Sequence, residues 1–164
     1  MTEILIKNFK HSEFNSDETH CFQAAVYVDG KRGFIAGNCG HGGCNDYQVL
    51  NQELFDTASL YADALPAEPY DYGEGFKGEM QPDLDTVIGD LVIKELMRRD
   101  RKKAYNKGVA FITDDPEKIE WYAFPPRMKK AEKDIIRARW ESQIMAKNPE
   151  FNLIKSDGSL TKGG

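Results

Sequence analysis

The chain has 164 residues with 22 basic and 27 acidic side chains, a formal charge of −5 at neutral pH. That length suits a compact domain burying about 70% of its unfolded surface, and a composition 40% hydrophobic and 11% aromatic excludes disorder throughout. No apolar run approaches the roughly 20 residues of a membrane helix, residues 1–10 have no leader pattern, and three cysteines are too few for a disulfide framework, so a cytoplasmic protein without a membrane partner is expected.

Residues 3–9 read as a first strand alternating around Ile4 and Ile6, and residues 10–19 as a polar loop. Residues 22–28 form a stronger strand, with Phe22, Ala24, Val26 and Val28 on one face at period two. Asp29-Gly30 then signals a tight hairpin, because a two-residue turn requires positive φ at both central positions, and residues 32–38 return as the partner strand. With Asp29-Gly30 at the centre, His20 falls opposite Cys39; with Gly30-Lys31, His20 falls opposite His41 and Phe22 opposite Cys39.

Residues 37–45 contain four glycines and lead into a predicted helix capped by Asn45, with Tyr47, Leu50, Leu54, Ala58, Tyr61 and Leu65 on its buried face. Residues 66–82 carry three prolines and three glycines and read as a long functional loop. A second helix is predicted over 83–105, ended by Gly108; residues 109–113 and 118–124 make a second hairpin. A third helix is predicted to open at Pro125-Pro126 and run to about residue 147, and residues 151–154 add a last strand. The expected fold class is α+β: an antiparallel sheet in the order β-β-β-α-α-β-β-α-β packed with about three helices, as one domain over residues 1–156 with a loose tail over 157–164.

Two chemistries suit the glycine-rich segment. Converging backbone N–H groups beside a helix N-terminus would hold an anion, with Asn38, Gly40, His41, Gly42, Gly43 and Asn45 as the ligand-binding set. Alternatively, Cys39, His41 and Cys44 with Cys21 or His20 offer zinc ligands, as a structural centre or in a small zinc-dependent enzyme, although C-x-H-x2-C is not a common zinc spacing. The segment matches neither phosphate-loop fingerprint, so it specifies no nucleotide. A glycine-rich turn that simply needs positive φ accounts for the same residues without a ligand.

One resemblance bears on function. Lys10-His11-Ser12-Glu13-Phe14, Glu18, Cys21-Phe22, Val26-Tyr27-Val28-Asp29-Gly30, Asn38 and Gly40-His41-Gly42-Gly43 together resemble the front of small uncharacterised bacteriophage and mobile-element proteins, over about the first 45 residues. The positions of Cys39 and Cys44 are not reliably cysteine in that pattern, which counts against zinc. The likeness implies a setting and no activity: small phage accessory proteins often bind and disable host defence machinery, CRISPR effectors included.

Charge is split along the chain. Residues 1–97 hold 17 acids and 6 bases, a balance of −11, and residues 98–164 hold 10 acids and 16 bases, a balance of +6. The acidic half offers a partner-binding surface of Glu53, Asp56, Asp63, Glu68, Tyr70, Asp71, Tyr72, Glu74, Phe76 and Glu79, suited to a basic groove. The basic run over 98–107 is the counterpart candidate for direct nucleic-acid contact. Solvated faces with internal pairing would give the same pattern. The leading expectation is a non-enzymatic phage-type accessory protein, needing no cofactor, that binds and inhibits a host protein or ribonucleoprotein in the host cytoplasm. The rival is a nucleotide- or phosphate-binding module, or a zinc enzyme, built on the glycine loop.

Overall fold

The computed structural model describes residues 2–71, 73, 77–113, 115 and 118–161. The fold is α+β, as composition and periodicity predict. The chain divides into two compact units, Met1–Ile93 and Lys94–Gly164. Their boundary falls inside a continuous helix, so no proline, glycine or loop marks it in the sequence.

The first unit is built on a four-stranded antiparallel meander: β1 (Ile4–Ser12), β2 (Cys21–Val28), β3 (Lys31–Asn38) and β4 (Asp46–Val49), in that spatial order. A short 3-10 helix, Glu13–Asn15, follows β1. The β2–β3 turn has Asp29 at φ 48° and Gly30 at φ 77°, as the Asp-Gly signal requires. The pairing then departs from both expected registers. Gly33 is an extra residue in β3, so Tyr27 faces Arg32 but Val26 faces Phe34, and at the open end Phe22 faces Asn38. The bulge has a use: the Gly33 carbonyl accepts the N–H groups of Leu50 (3.0 Å) and Asn51 (2.9 Å). A β-carbon on Gly33 would lie 3.0 Å from the Leu54 β-carbon, so the bulge also admits the following helix close to the sheet.

That helix, α1 (Gln52–Asp63), begins later than Asn45. Residues 46–49 pair instead with β3, Tyr47 facing Ala36 and Val49 facing Phe34, and the Asn51 side chain caps α1 by accepting the Leu54 N–H at 3.1 Å. The helical spacing of Tyr47 and Leu50 with Leu54 thus misleads, because an unpaired β3 edge competes for the same residues. Ala58 and Ala62 are buried beneath α1, and Phe34, Tyr47 and Phe55 meet edge to face at 5.1 to 5.7 Å. Val26, Val28 and Phe34 are wholly buried in this unit. The expected long loop contains a hairpin, β5 (Glu68–Asp71) with β6 (Lys77–Met80), in which Tyr70 faces Gly78 and Asp71 faces Lys77.

Helix α2 (Leu84–Lys107) starts at an Asp83 cap: its carboxylate accepts the Thr86 N–H and hydroxyl, both at 2.8 Å, and these bonds hold Asp83 below the usual carboxylate pKa range. The second unit contains β7 (Gly108–Ile112), β8 (Ile119–Ala123), α3 (Lys130–Lys147) and β9 (Asn152–Leu153), with sheet order β8-β7-β9. Every residue of β7 is buried: Val109 and Phe111 pack with Ile144, Trp140 and Phe151, while Ala110 and Ile112 pack with Ala104 and Ile154. The helix predicted from Pro125-Pro126 opens only at Lys130, because Arg127 takes a left-handed φ of 65°. Of the residues expected as a tail, those as far as Thr161 bond back to the sheet: Thr161 N–H donates to the Leu153 carbonyl at 3.0 Å, and Leu160 bridges Ile154.

Candidate functional site

Asn38 ends β3 and is the buried polar side chain of the first unit's core, 8% exposed. Its Oδ1 accepts from the Thr19 hydroxyl (2.7 Å) and the Gly40 N–H (2.9 Å), and its Nδ2 donates to the Gly43 carbonyl (3.2 Å) and Asn45 Oδ1 (3.3 Å). The Gly40 carbonyl in turn accepts the N–H groups of Asp17 (2.9 Å), Glu18 (3.0 Å) and Thr19 (3.3 Å). Residues 12–20 and 38–45 are therefore locked to one another through a side-chain amide and a single carbonyl.

This locking consumes donors that an anion would need. The Gly40 N–H is bonded to Asn38, the Gly42 N–H to Thr19 Oγ1 at 3.3 Å, and the Asn45 N–H to Asp85 Oδ2 at 3.0 Å. The segment leads into β4 and not into the helix expected from Asn45, and the first turn of α2 meets it through the Asp85 carboxylate, not through free N–H groups. The Glu18 carboxylate also lies against Gly42. Gly43, Asn38 and Asn45 line a cleft of about 270 Å³ together with His20, Phe22 and Asp85, whereas His41 is exposed.

At the cleft, Tyr47 of β4 donates its hydroxyl to Asp85 Oδ1 of α2. Nothing in the sequence pairs these residues: Tyr47 reads as a helix core position, Asp85 as a first-turn acid. Burial, with the Asp85 hydrogen bond second, raises the Tyr47 pKa well above its ordinary value. A group whose pKa is raised on folding contributes stability below its unfolded pKa and loses it as pH climbs. Tyr47→Phe is expected to cost about 1.5 kcal/mol at neutral pH. It should also flatten the loss of stability above about pH 10, where unfolded tyrosine ionises; urea unfolding across alkaline pH measures both.

Ser16 and His11 come within 3.2 Å, but Ser16 Oγ donates to the Ser12 carbonyl (2.8 Å) and accepts the Cys21 N–H (2.8 Å). With its proton committed to a carbonyl, that hydroxyl braces the turn and is not poised as a nucleophile. Cys21 is half-buried, Cys39 and Cys44 are exposed, and all three are free. Among the described residues no group of three His, Cys, Asp or Glu side chains is placed to hold a metal ion.

The predicted partner-binding residues fall on two elements. Glu53, Asp56 and Asp63 share the outer face of α1 with Leu60, which is 69% exposed. Glu68, Asp71 and Glu79 are exposed on the β5–β6 hairpin, where Asp71 pairs with Lys77 at 2.6 Å; Tyr70 is half-buried against Gly78. Tyr72, Glu74 and Phe76 lie outside the described residues. In the basic run, Arg98 and Arg99 are tied to Glu95, and Lys103 to Asp100. Arg137 of α3 bonds the Gly108 and Tyr105 carbonyls, both at 2.8 Å, and caps the end of α2.

No family model, curated protein or solved structure matches the chain. Among the described residues no helix is long and apolar enough to cross a membrane. The class that fold and site define is an α+β chain of two units with opposite charge balances: Met1–Ile93 has 16 acids and 5 bases, and Lys94–Gly164 has 11 acids and 17 bases.

Proposed function

We propose that this chain is a non-enzymatic binding protein whose acidic first unit docks on a basic face of a larger host protein or ribonucleoprotein and inhibits it. The outer face of α1 carries the reading: three carboxylates flank an exposed leucine, in a unit with a balance of −11 and, among its described residues, one ion pair, Lys77 with Asp71. An interface would use such a residue as an anchor and the surrounding charges for steering. The resemblance of the first 45 or so residues supports a phage-type accessory protein acting in the host cytoplasm, with a defence component such as a CRISPR effector as partner.

The test is co-elution of the purified chain with a panel of CRISPR effector complexes at low and high salt, with effector cleavage measured alongside. Association that weakens with salt, and that drops about tenfold in Glu53→Lys/Asp56→Lys/Asp63→Lys, is the expected result. No association at low salt, or binding that the triple reversal leaves unchanged, overturns the reading.

A further inference from the structure

The second unit carries chemistry that the acidic face leaves unused. On β8, an edge strand, Trp121 is 44% exposed and Tyr122 is 56% exposed. Aromatic side chains release the most free energy when buried, and successive strand residues face opposite sides, so Tyr122 is the exposed aromatic on the face that α3 covers.

Tyr122 forms one wall of a cleft of about 260 Å³, and Trp140 of α3 forms another, with ring centroids 6.4 Å apart and planes at 79°. Trp140 is held by stacking on Phe124 at 6.1 Å, which preforms that wall. The rest of the cleft is lined by Gln143, Lys147 and Asn148 with Ile144. Two amides offer both donors and acceptors, and the ammonium offers a charge. Arg139 precedes Gln143 by one helical turn and is exposed, adding a second cation along the same line. On the other face of β8, Lys107 Nζ lies 5.2 Å from the centre of the Trp121 ring.

From this arrangement we infer that the β8–α3 cleft accepts a base of single-stranded nucleic acid. Tyr122, more than half exposed, supplies the stacking face, Trp140 bounds the cleft at a steep angle to it, Gln143 and Asn148 reach the base edge, and Lys147 and Arg139 neutralise flanking phosphates. The cleft is smaller than a drug-sized ligand needs and suits one planar ring system. The unit's surplus of cations complements a polyanion, and a duplex presents no unstacked base to the walls. This site is distinct from the 98–107 run, where three of the cations are committed to neighbouring carboxylates. It is also independent of the docking reading, which concerns the other unit.

Fluorescence anisotropy of the full chain with a short end-labelled oligouridylate tests it. The wild type is expected to bind at low salt and to release the probe as salt rises. Tyr122→Ala should weaken binding about tenfold, Tyr122→Phe should restore it, and Lys147→Gln should weaken it with a shallower salt dependence. Because Tyr122 also packs on Phe111, melting temperatures are compared; the phenylalanine variant keeps that packing and the stacking face. No binding by the wild type, equal affinity for a mixed-sequence duplex, or wild-type affinity in a folded Tyr122→Ala overturns the inference.

Discussion

Gly40→Ala is expected to cost at least about 4 kcal/mol, enough to unfold the first unit in a marginally stable protein. Two effects add. Gly40 has φ +93°, where an L side chain is strained, and a β-carbon there would sit 2.0 Å from the Asn15 carbonyl oxygen and 2.9 Å from the Cys21 β-carbon. The oxygen is backbone, fixed because the Gly40 carbonyl itself binds the three N–H groups of residues 17–19 and its N–H binds Asn38. Relief would require breaking those bonds, so the clash cannot be absorbed by a rotamer change. Gly43→Ala is the control: φ is +85°, yet nothing lies within 4 Å of the new atom. That variant should lose only the dihedral cost, about 1 kcal/mol. Denaturant unfolding of the pair separates steric from conformational cost, and equal losses would refute the locked-loop account.

Phe34→Ala is expected to cost about 3–5 kcal/mol, the range for truncating a buried aromatic. The Phe34 side chain is completely buried, with ring contacts to Phe55 at 5.1 Å and Tyr47 at 5.7 Å. It therefore joins β3 to β4 and to α1, the helix that carries the acidic face. Removing it also takes packing from Tyr47, whose hydroxyl holds Asp85, so the loss should exceed the sum of its own contacts. Phe34→Leu retains most of the volume and should cost about 1.5 kcal/mol or less. A double-mutant cycle with Tyr47→Phe measures the coupling; strict additivity would mean that the triangle and the hydrogen bond act separately.

Features decided within a few residues were legible without the fold. Asp29-Gly30 dictates its own turn, Gly108 follows the last residue of α2, and the period-two pattern of residues 22–28 places Ala24, Val26 and Val28 in the core. The outward arc of Glu53, Asp56 and Asp63 follows from helical spacing once α1 exists. The fate of residues 45–50 was not legible, because Asn45 and Asn51 are equally good caps and only the open edge of β3 chooses between them. The 66–82 segment looked like loop for a similar reason: its short strands bond only each other and carry no hydrophobic alternation.

What the sequence determined by itself was the α+β class, the central hairpin and the separation of charge, since turn dihedrals, side-chain periodicity and residue counts are local quantities. The tertiary structure alone decided that the glycine segment is a braced junction with the Gly40, Gly42 and Asn45 N–H groups in use, that Tyr47 meets Asp85, and that Tyr122 and Trp140 open a cleft in the basic unit. These depend on residues up to 40 positions apart in the chain, brought together by strand pairing and burial. Such pairing energies are cooperative, and no short window of sequence encodes them.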